Sequence, residues 1–281
     1  MELSDYAGVP VKAFGATMTA AKESAHGKRD TGTLGKLMVL LDVVSHADGP
    51  MRFTDILAVT DQPRGTVHRQ LSHLVDEGLL EIDEDGLYLP GLRLLDFASR
   101  SWGRNEFRLI AEPHLKALQD MTGETVHLGV LRGTSIIYLD KFEGQQPVRM
   151  YSQIGNASPV YCTGVGKAAL SILPQERVRA LVAEIAFHRF TANTHTAKSL
   201  LGEIEEIRKV GHAFDREEHE VGIRCIAAPI WSENLSLVGG VSVTGPAYRL
   251  GMESLSEWAA PIRETAGRIM EAMRVGLGPR R

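Results

Sequence analysis

Between Phe53 and Tyr88 the apolar positions change period. Val67, Leu71, Leu74 and Val75 recur at helical spacing, whereas Leu79 to Ile82 and Leu87 to Leu89 are short apolar runs. Upstream, Phe53, Ile56 and Leu57 predict a short amphipathic helix, and Leu34, Leu37, Met38, Leu41 and Val44 predict another that ends near Gly49-Pro50. The punctuation fits these periods. Thr60 or Asp61 can cap the helix carrying Val67, and Pro63 suits a first turn where no backbone donor is needed. Gly78 allows a left-handed stop, and Asp85-Gly86 is a strong hairpin signal. Helix, tight turn, helix and hairpin in this order make a winged helix-turn-helix.

The face of the second helix opposite its apolar stripe carries Gly65, Thr66, Arg69, Ser72 and His73, with Arg64 and His68 at its shoulders. No acid interrupts it before Asp76. Such a face suits the major groove of double-stranded DNA. Short residues at its start allow close approach, Thr66 and Ser72 can bond phosphate or base edges, and Arg64 or Arg69 can reach guanine acceptors. The hairpin tip, Asp83-Glu84-Asp85, is acidic, so this wing is expected to brace the fold more than to hold DNA.

Beyond Pro90-Gly91, Leu92 to Trp102 reads as a linker helix, and Phe107 to Met121, with Leu109, Ile110, Leu115 and Leu118, as a second amphipathic helix. Strands are expected at Thr125 to Leu131, Ser135 to Phe142, Val148 to Gln153, Gly222 to Trp231 and Ser236 to Thr244. Helices are expected at Gly164 to Leu173, Gln175 to Ile185, Ser199 to Val210 and Met252 to Met273. Hairpins with helices inserted and appended predict an α+β domain in which one face of an antiparallel sheet lies under helices. The expected division is a flexible N-terminal arm over 1–30, a DNA-binding domain over 31–90, a linker helix over 91–104 and a second domain over 105–275. Lys22, Lys28 and Arg29 give the arm a basic character, although a solvated tail accounts for it as well.

Composition narrows the class. The chain of 281 residues is 43% hydrophobic and 23% charged, as an ordinary globular protein of about two domains would be. No apolar run reaches the roughly 18 residues of a membrane span, and the first 30 residues lack a secretory core, which places the protein in the cytoplasm with no membrane partner. Cys162 and Cys225, the two cysteines, are too few for a disulfide framework. With a formal net charge of −4 the chain cannot hold nucleic acid by bulk attraction, so affinity must come from a local patch, doubled in a dimer.

Three further stretches carry a resemblance. Ser158 to Leu170 (SPVYCTGVGKAAL), Asp215 to Ile230 (DREEHEVGIRCIAAPI) and Val241 to Pro246 (VSVTGP), together with Thr66 to Leu71 (TVHRQL), resemble the IclR-type transcriptional regulators over about Leu34 to Met273. The resemblance implies a GAF-like C-terminal domain that binds a small metabolite, a palindromic operator read by a homodimer, and pairing of dimers into tetramers. It places Gly164 and Val165 at a Gly-rich turn whose amides can hold a carboxylate or carbonyl oxygen, with Asp215 opposite. Ile223 and Cys225 share one strand face, as do Ser242 and Thr244, and period two lets all four line one cavity. Met150 and Ser158 match wall positions, Ser158 where the family often has an apolar residue. Tyr151 and Tyr161 are added as nearby aromatic walls. Plainer readings stand beside these: Cys225 and Met150 as core, Asp215 as a turn cap, Lys167 as a surface lysine.

Other chemistries fit poorly. Gly164-Val165-Gly166-Lys167 fails as a phosphate loop, because the pattern's first glycine falls at Tyr161 and its final hydroxyl at Ala168. His212 and His219 flank Asp215, Glu217, Glu218 and Glu220, but their spacing matches no metal pattern, and a solvated acidic loop explains them. There is no nucleophile elbow and no dinucleotide fingerprint. The expectation is therefore a metabolite-responsive DNA-binding repressor of a catabolic operon, not an enzyme, with no metal and no cofactor. The alternative is a metabolite-binding or metabolite-hydrolysing enzyme with an incidental helical N-terminal domain.

Overall fold

The computed structural model describes residues 32–146, 152–232 and 236–276. The arm over 1–30, the expected wall residues Met150 and Tyr151, and most of the expected strand Val148 to Gln153 lie outside the described residues. The chain divides into two compact units, one ending at Arg104 and the other beginning at Asn105.

The first unit comprises α1 (Gly32–Ser45), α2 (Phe53–Ala58), α3 (Arg64–Asp76), β1 (Leu80–Ile82), β2 (Tyr88–Pro90) and α4 (Leu92–Gly103). Its core joins Leu40, Leu41, Val43 and Val44 of α1 to Ile56, Val67, Leu71, Leu74, Leu80 and Tyr88. Each fully buried aliphatic side chain contributes roughly 1.5–3 kcal/mol against the ordering entropy. On α1 the buried stripe is turned from the expected one, so Leu34 and Met38 face outward. Gly78, at φ +67°, closes α3: its N–H donates to the Val75 carbonyl and that of Leu79 to the Leu74 carbonyl. The hairpin pairs Glu81 with Leu89, and Met51 adds an isolated bridge to Tyr88.

The second unit holds α5 (Glu106–Thr122), β3 (Thr125–Arg132), β4 (Ser135–Phe142), β5 (Ala157–Pro159), α6 (Gly164–Ser171), α7 (Gln175–Glu184), α8 (Ala197–Val210), β6 (Ala213–Arg216), β7 (Ile223–Ser232), β8 (Leu237–Pro246), α9 (Met252–Glu257) and α10 (Ala259–Gly276). One antiparallel sheet runs in the order β5-β4-β3-β8-β7-β6. Both its faces are covered, where one was expected. Phe107, Leu115 and Leu118 of α5 and Ile262, Ile269 and Met273 of α10 pack on Val126, Leu128, Ile226, Val241 and Val243. The opposite face lies under α6, α7 and α8, through residues such as Val165, Leu181 and Ile204. Leu109 points to solvent, and the expected terminal helix is broken at Trp258. The short edge strands β5 and β6 were not anticipated.

Candidate DNA interface and effector site

On α3 the structure puts Val67, Gln70, Leu71 and Leu74 inside and Arg64, Gly65, His68, Arg69 and His73 at the surface, with Thr66 and Ser72 between. Phe53 organises the N-terminal shoulder. The Arg64 guanidinium lies 5.1 Å from its ring centroid, and the His68 ring meets it edge-on at 5.9 Å. The Ser72 hydroxyl donates to the His68 carbonyl, which fixes its oxygen on the helix face. The expected caps are corrected: Pro63 occupies the cap position without a side-chain bond, and the Thr60 hydroxyl turns back to the Leu57 carbonyl. The amides at the start of α3 therefore carry no side-chain cap.

In the second unit, strand register brings the distant candidates together. Asp215 pairs with Cys225, Cys225 with Thr244, and Thr244 with Thr125, while Ala227 pairs with Ser242 and Ser242 with His127. Directly paired residues share a face, so Asp215, Cys225, Thr244, Ser242 and His127 form a floor beneath α6, with Ile223 one step along β7. The start of α6 sits tightly on that floor. A Cβ at Gly164 would lie 2.4 Å from Cys225 Sγ, and Val165 fills the space over Gly129 and Gly240. Thr163 caps α6 by accepting from the Gly166 N–H.

Asp215 is buried, its Oδ1 accepting from the Glu218 N–H at 2.8 Å. Burial raises its pKa to about 7 despite the hydrogen bonds and the charge of Lys167. The Cys225 thiol is pushed up to about 12, first by burial and then by Asp215, so it is a neutral wall rather than a nucleophile. Ser158, on β5, hydrogen-bonds the phenol of Tyr138, whose pKa burial raises. Tyr161 stands apart from the floor. Its hydroxyl donates to the His188 carbonyl and accepts from the His188 N–H, and its ring packs on Phe187 at 4.7 Å.

Two residues that the sequence reading passed over belong to this region. His127 is 3% exposed, with Nε2 2.7 Å from the Ser152 hydroxyl and Nδ1 facing the hydroxyls of Ser242 and Thr244 at 3.5 and 3.4 Å. Burial and then Lys141 lower its pKa to about 3. Tyr138 lies 5.0 Å from the His127 ring. The signal that could have found them is period two, since both sit on the face that Ser242 and Thr244 share.

Lys167 is corrected outright. It is fully buried, with Nζ 2.5 Å from both Glu218 oxygens, 3.3 Å from His195 Nε2 and 3.7 Å from a Glu203 oxygen. Burial pushes the Glu218 carboxyl up, but hydrogen bonds and charge from His195 and Lys167 outweigh it and hold its pKa down. The 212–220 stretch is thus no uniformly solvated loop. Ligand atoms of His195, Glu203 and Glu218 lie within 4.8 Å of one another, and the Lys167 ammonium already stands among them as the cation. Thr191 and Thr194 bind the carbonyls of Glu217 and Glu218, tying the segment before α8 to this cluster.

Comparison with known proteins agrees with this layout. Residues 33–84 match the IclR helix-turn-helix domain and residues 101–271 the C-terminal domain of the bacterial transcriptional regulator IclR. The chain is 31% identical to the HTH-type transcriptional regulator KdgR of Escherichia coli, over 75% of this chain and 81% of that protein. It is 29% identical to the acetate operon repressor of Salmonella typhimurium, over 83% and 87%. The crystal structure of Thermotoga maritima IclR superimposes with a TM-score of 0.64 at 32% identity, covering 85% of this chain and 97% of that one. These relatives are DNA-binding regulators and not enzymes, and the chain belongs to the IclR family of transcriptional regulators.

Proposed function

We propose that the protein is a repressor of a catabolic operon, released or retained on DNA by a small organic acid, semialdehyde or aromatic acid. Residues 31–90 read the operator, 91–104 link, and 105–275 sense. The observation that carries the DNA half is the exposed face of α3, where Arg64, Gly65, His68, Arg69 and His73 stand opposite a fully buried stripe. Thr66 and Ser72 complete that face, and the uncapped helix start suits a phosphate. One such face is small, so a palindromic operator read by two copies about 34 Å apart supplies the rest. The exposed side chains of Leu92 and Leu95 on α4 support a homodimer, and a homotetramer follows if dimers pair.

Supporting the sensing half, Gly164, Asp215, Ile223, Cys225, Ser242 and Thr244 converge around the start of α6, with Val165 as packing and Ser158 at the β5 side. A ligand that binds one subunit arrangement better than the other shifts operator affinity by that difference. No covalent step is involved. The test is a gel-shift titration in the cytoplasmic salt range. Arg69→Ala should weaken operator binding by about 1–3 kcal/mol while ligand response persists, and Ser242→Ala should blunt the response while operator binding persists. Unchanged operator affinity in the first variant, or an unchanged dose response in the second, removes that residue from its site.

A further inference from the structure

Arg64 and Arg69 are both exposed on α3, yet their side chains are held differently. Among the described residues, the Arg69 side chain makes no hydrogen bond, ion pair or ring contact, whereas the Arg64 guanidinium lies over the Phe53 ring at 5.1 Å. No carboxylate among the described residues pairs with Arg64 either. Phe53 opens α2 and is half-buried: it packs on the core of the first unit and also meets the start of α3. The same ring takes the His68 ring edge-on at 5.9 Å, one helical turn beyond Arg64. A cation over a ring face is held by the ring's quadrupole, and that contact consumes none of its N–H donors. A carboxylate in Phe53's place would occupy those donors by bidentate pairing.

We propose that Phe53 is a positioning residue for operator recognition, acting through Arg64. Its ring holds the guanidinium at the shoulder of α3 and leaves the in-plane donors for an acceptor on the duplex. This rests on reading the exposed α3 face as the DNA interface. An arginine side chain free in solvent must be ordered when it docks, and one already resting on a ring has lost part of that freedom beforehand. Arg69 has no such support, so the two arginines differ in their dependence on Phe53.

The experiment is fluorescence anisotropy of the full-length protein on a labelled duplex enriched from a random-sequence pool by the wild-type protein. Circular dichroism checks that each variant is folded. Phe53→Leu keeps an apolar group on the core and removes the ring. It should weaken binding about two- to fivefold per recognition helix, or about five- to thirtyfold for a site read by two. Phe53→Tyr, which restores the ring, should bind within about twofold of wild type. In an Arg64→Ala background Phe53→Leu should cost less than about twofold further, whereas in an Arg69→Ala background it should cost its full factor. Phe53→Met, which refills the core more closely, repeats the cycle if Phe53→Leu melts the first unit. An equal loss from Phe53→Leu in all three backgrounds marks a packing role and overturns the proposal. Full affinity in Phe53→Leu, or a Phe53→Tyr variant as weak as Phe53→Leu, overturns it too. Full affinity in Arg64→Ala overturns instead the reading of this shoulder as a DNA contact.

Discussion

Replacing Lys167 by methionine removes the cation from the centre of the α6 cluster and keeps its volume. Glu218, 2% exposed, would then lose both contacts of 2.5 Å and stand as a buried charge. Breaking a buried pair from one side costs about 3–5 kcal/mol. The reverse break, Glu218→Gln, leaves the buried ammonium with only its longer contacts, His195 at 3.3 Å and Glu203 at 3.7 Å. The double variant Lys167→Met with Glu218→Leu removes both charges and should lose much less than the sum, a coupling of about 3 kcal/mol. Urea unfolding in a Trp102→Phe background reads the second unit through Trp231 and Trp258. Single-variant losses under about 1 kcal/mol, or losses that simply add in the double variant, would refute the buried-pair account.

Gly164→Ala drives a methyl to 2.4 Å from Cys225 Sγ and should abolish the ligand response, and Cys225→Ala should restore it if that contact is the cause. A response unaffected by Gly164→Ala would show that α6 can lift without consequence. His127, with its pKa depressed to about 3, contributes stability that is fully present above its ordinary 6.5 and is lost as pH falls towards the folded value. By pH 4.5 that loss is about 2–3 kcal/mol, and His127→Leu should flatten the stability profile there in an acid-unfolding series. If the proposed homodimer forms through α4, Leu95→Glu, at a position 67% exposed, should shift sedimentation towards monomer at micromolar concentration, and an unchanged profile refutes a contact at Leu95.

The first unit was legible because its signals are local. Gly78 and Asp85-Gly86 act on neighbouring backbone, and the Val67, Leu71 and Leu74 stripe needs about two turns of helix to show itself. The cap was misjudged because the Thr60 hydroxyl donates back to the Leu57 carbonyl at the end of α2 instead of accepting from an amide at the start of α3. In the second unit the strand faces of Cys225, Ser242 and Thr244 followed from period two. The burial of Lys167 did not, since its partner Glu218 lies 51 residues away and only the packing of α6 on the sheet joins them. His127 escaped for a related reason: a histidine in an otherwise apolar strand declares nothing until hydroxyls from β8 and from Ser152 surround it. Leu34, Met38 and Leu109 are apolar yet exposed, which periodicity within one helix cannot reveal.

At the wing, Asp83 Oδ1 accepts from the amides of Asp85 and Leu87 and so holds the turn with Glu84 and Asp85 turned to solvent. A polyanion meeting this tip is repelled wherever the docking is not compensated by specific contacts along α3. Neutralising the tip, as in Glu84→Gln with Asp85→Asn, should therefore raise affinity for non-specific duplex more than affinity for an operator in a salt-matched gel shift.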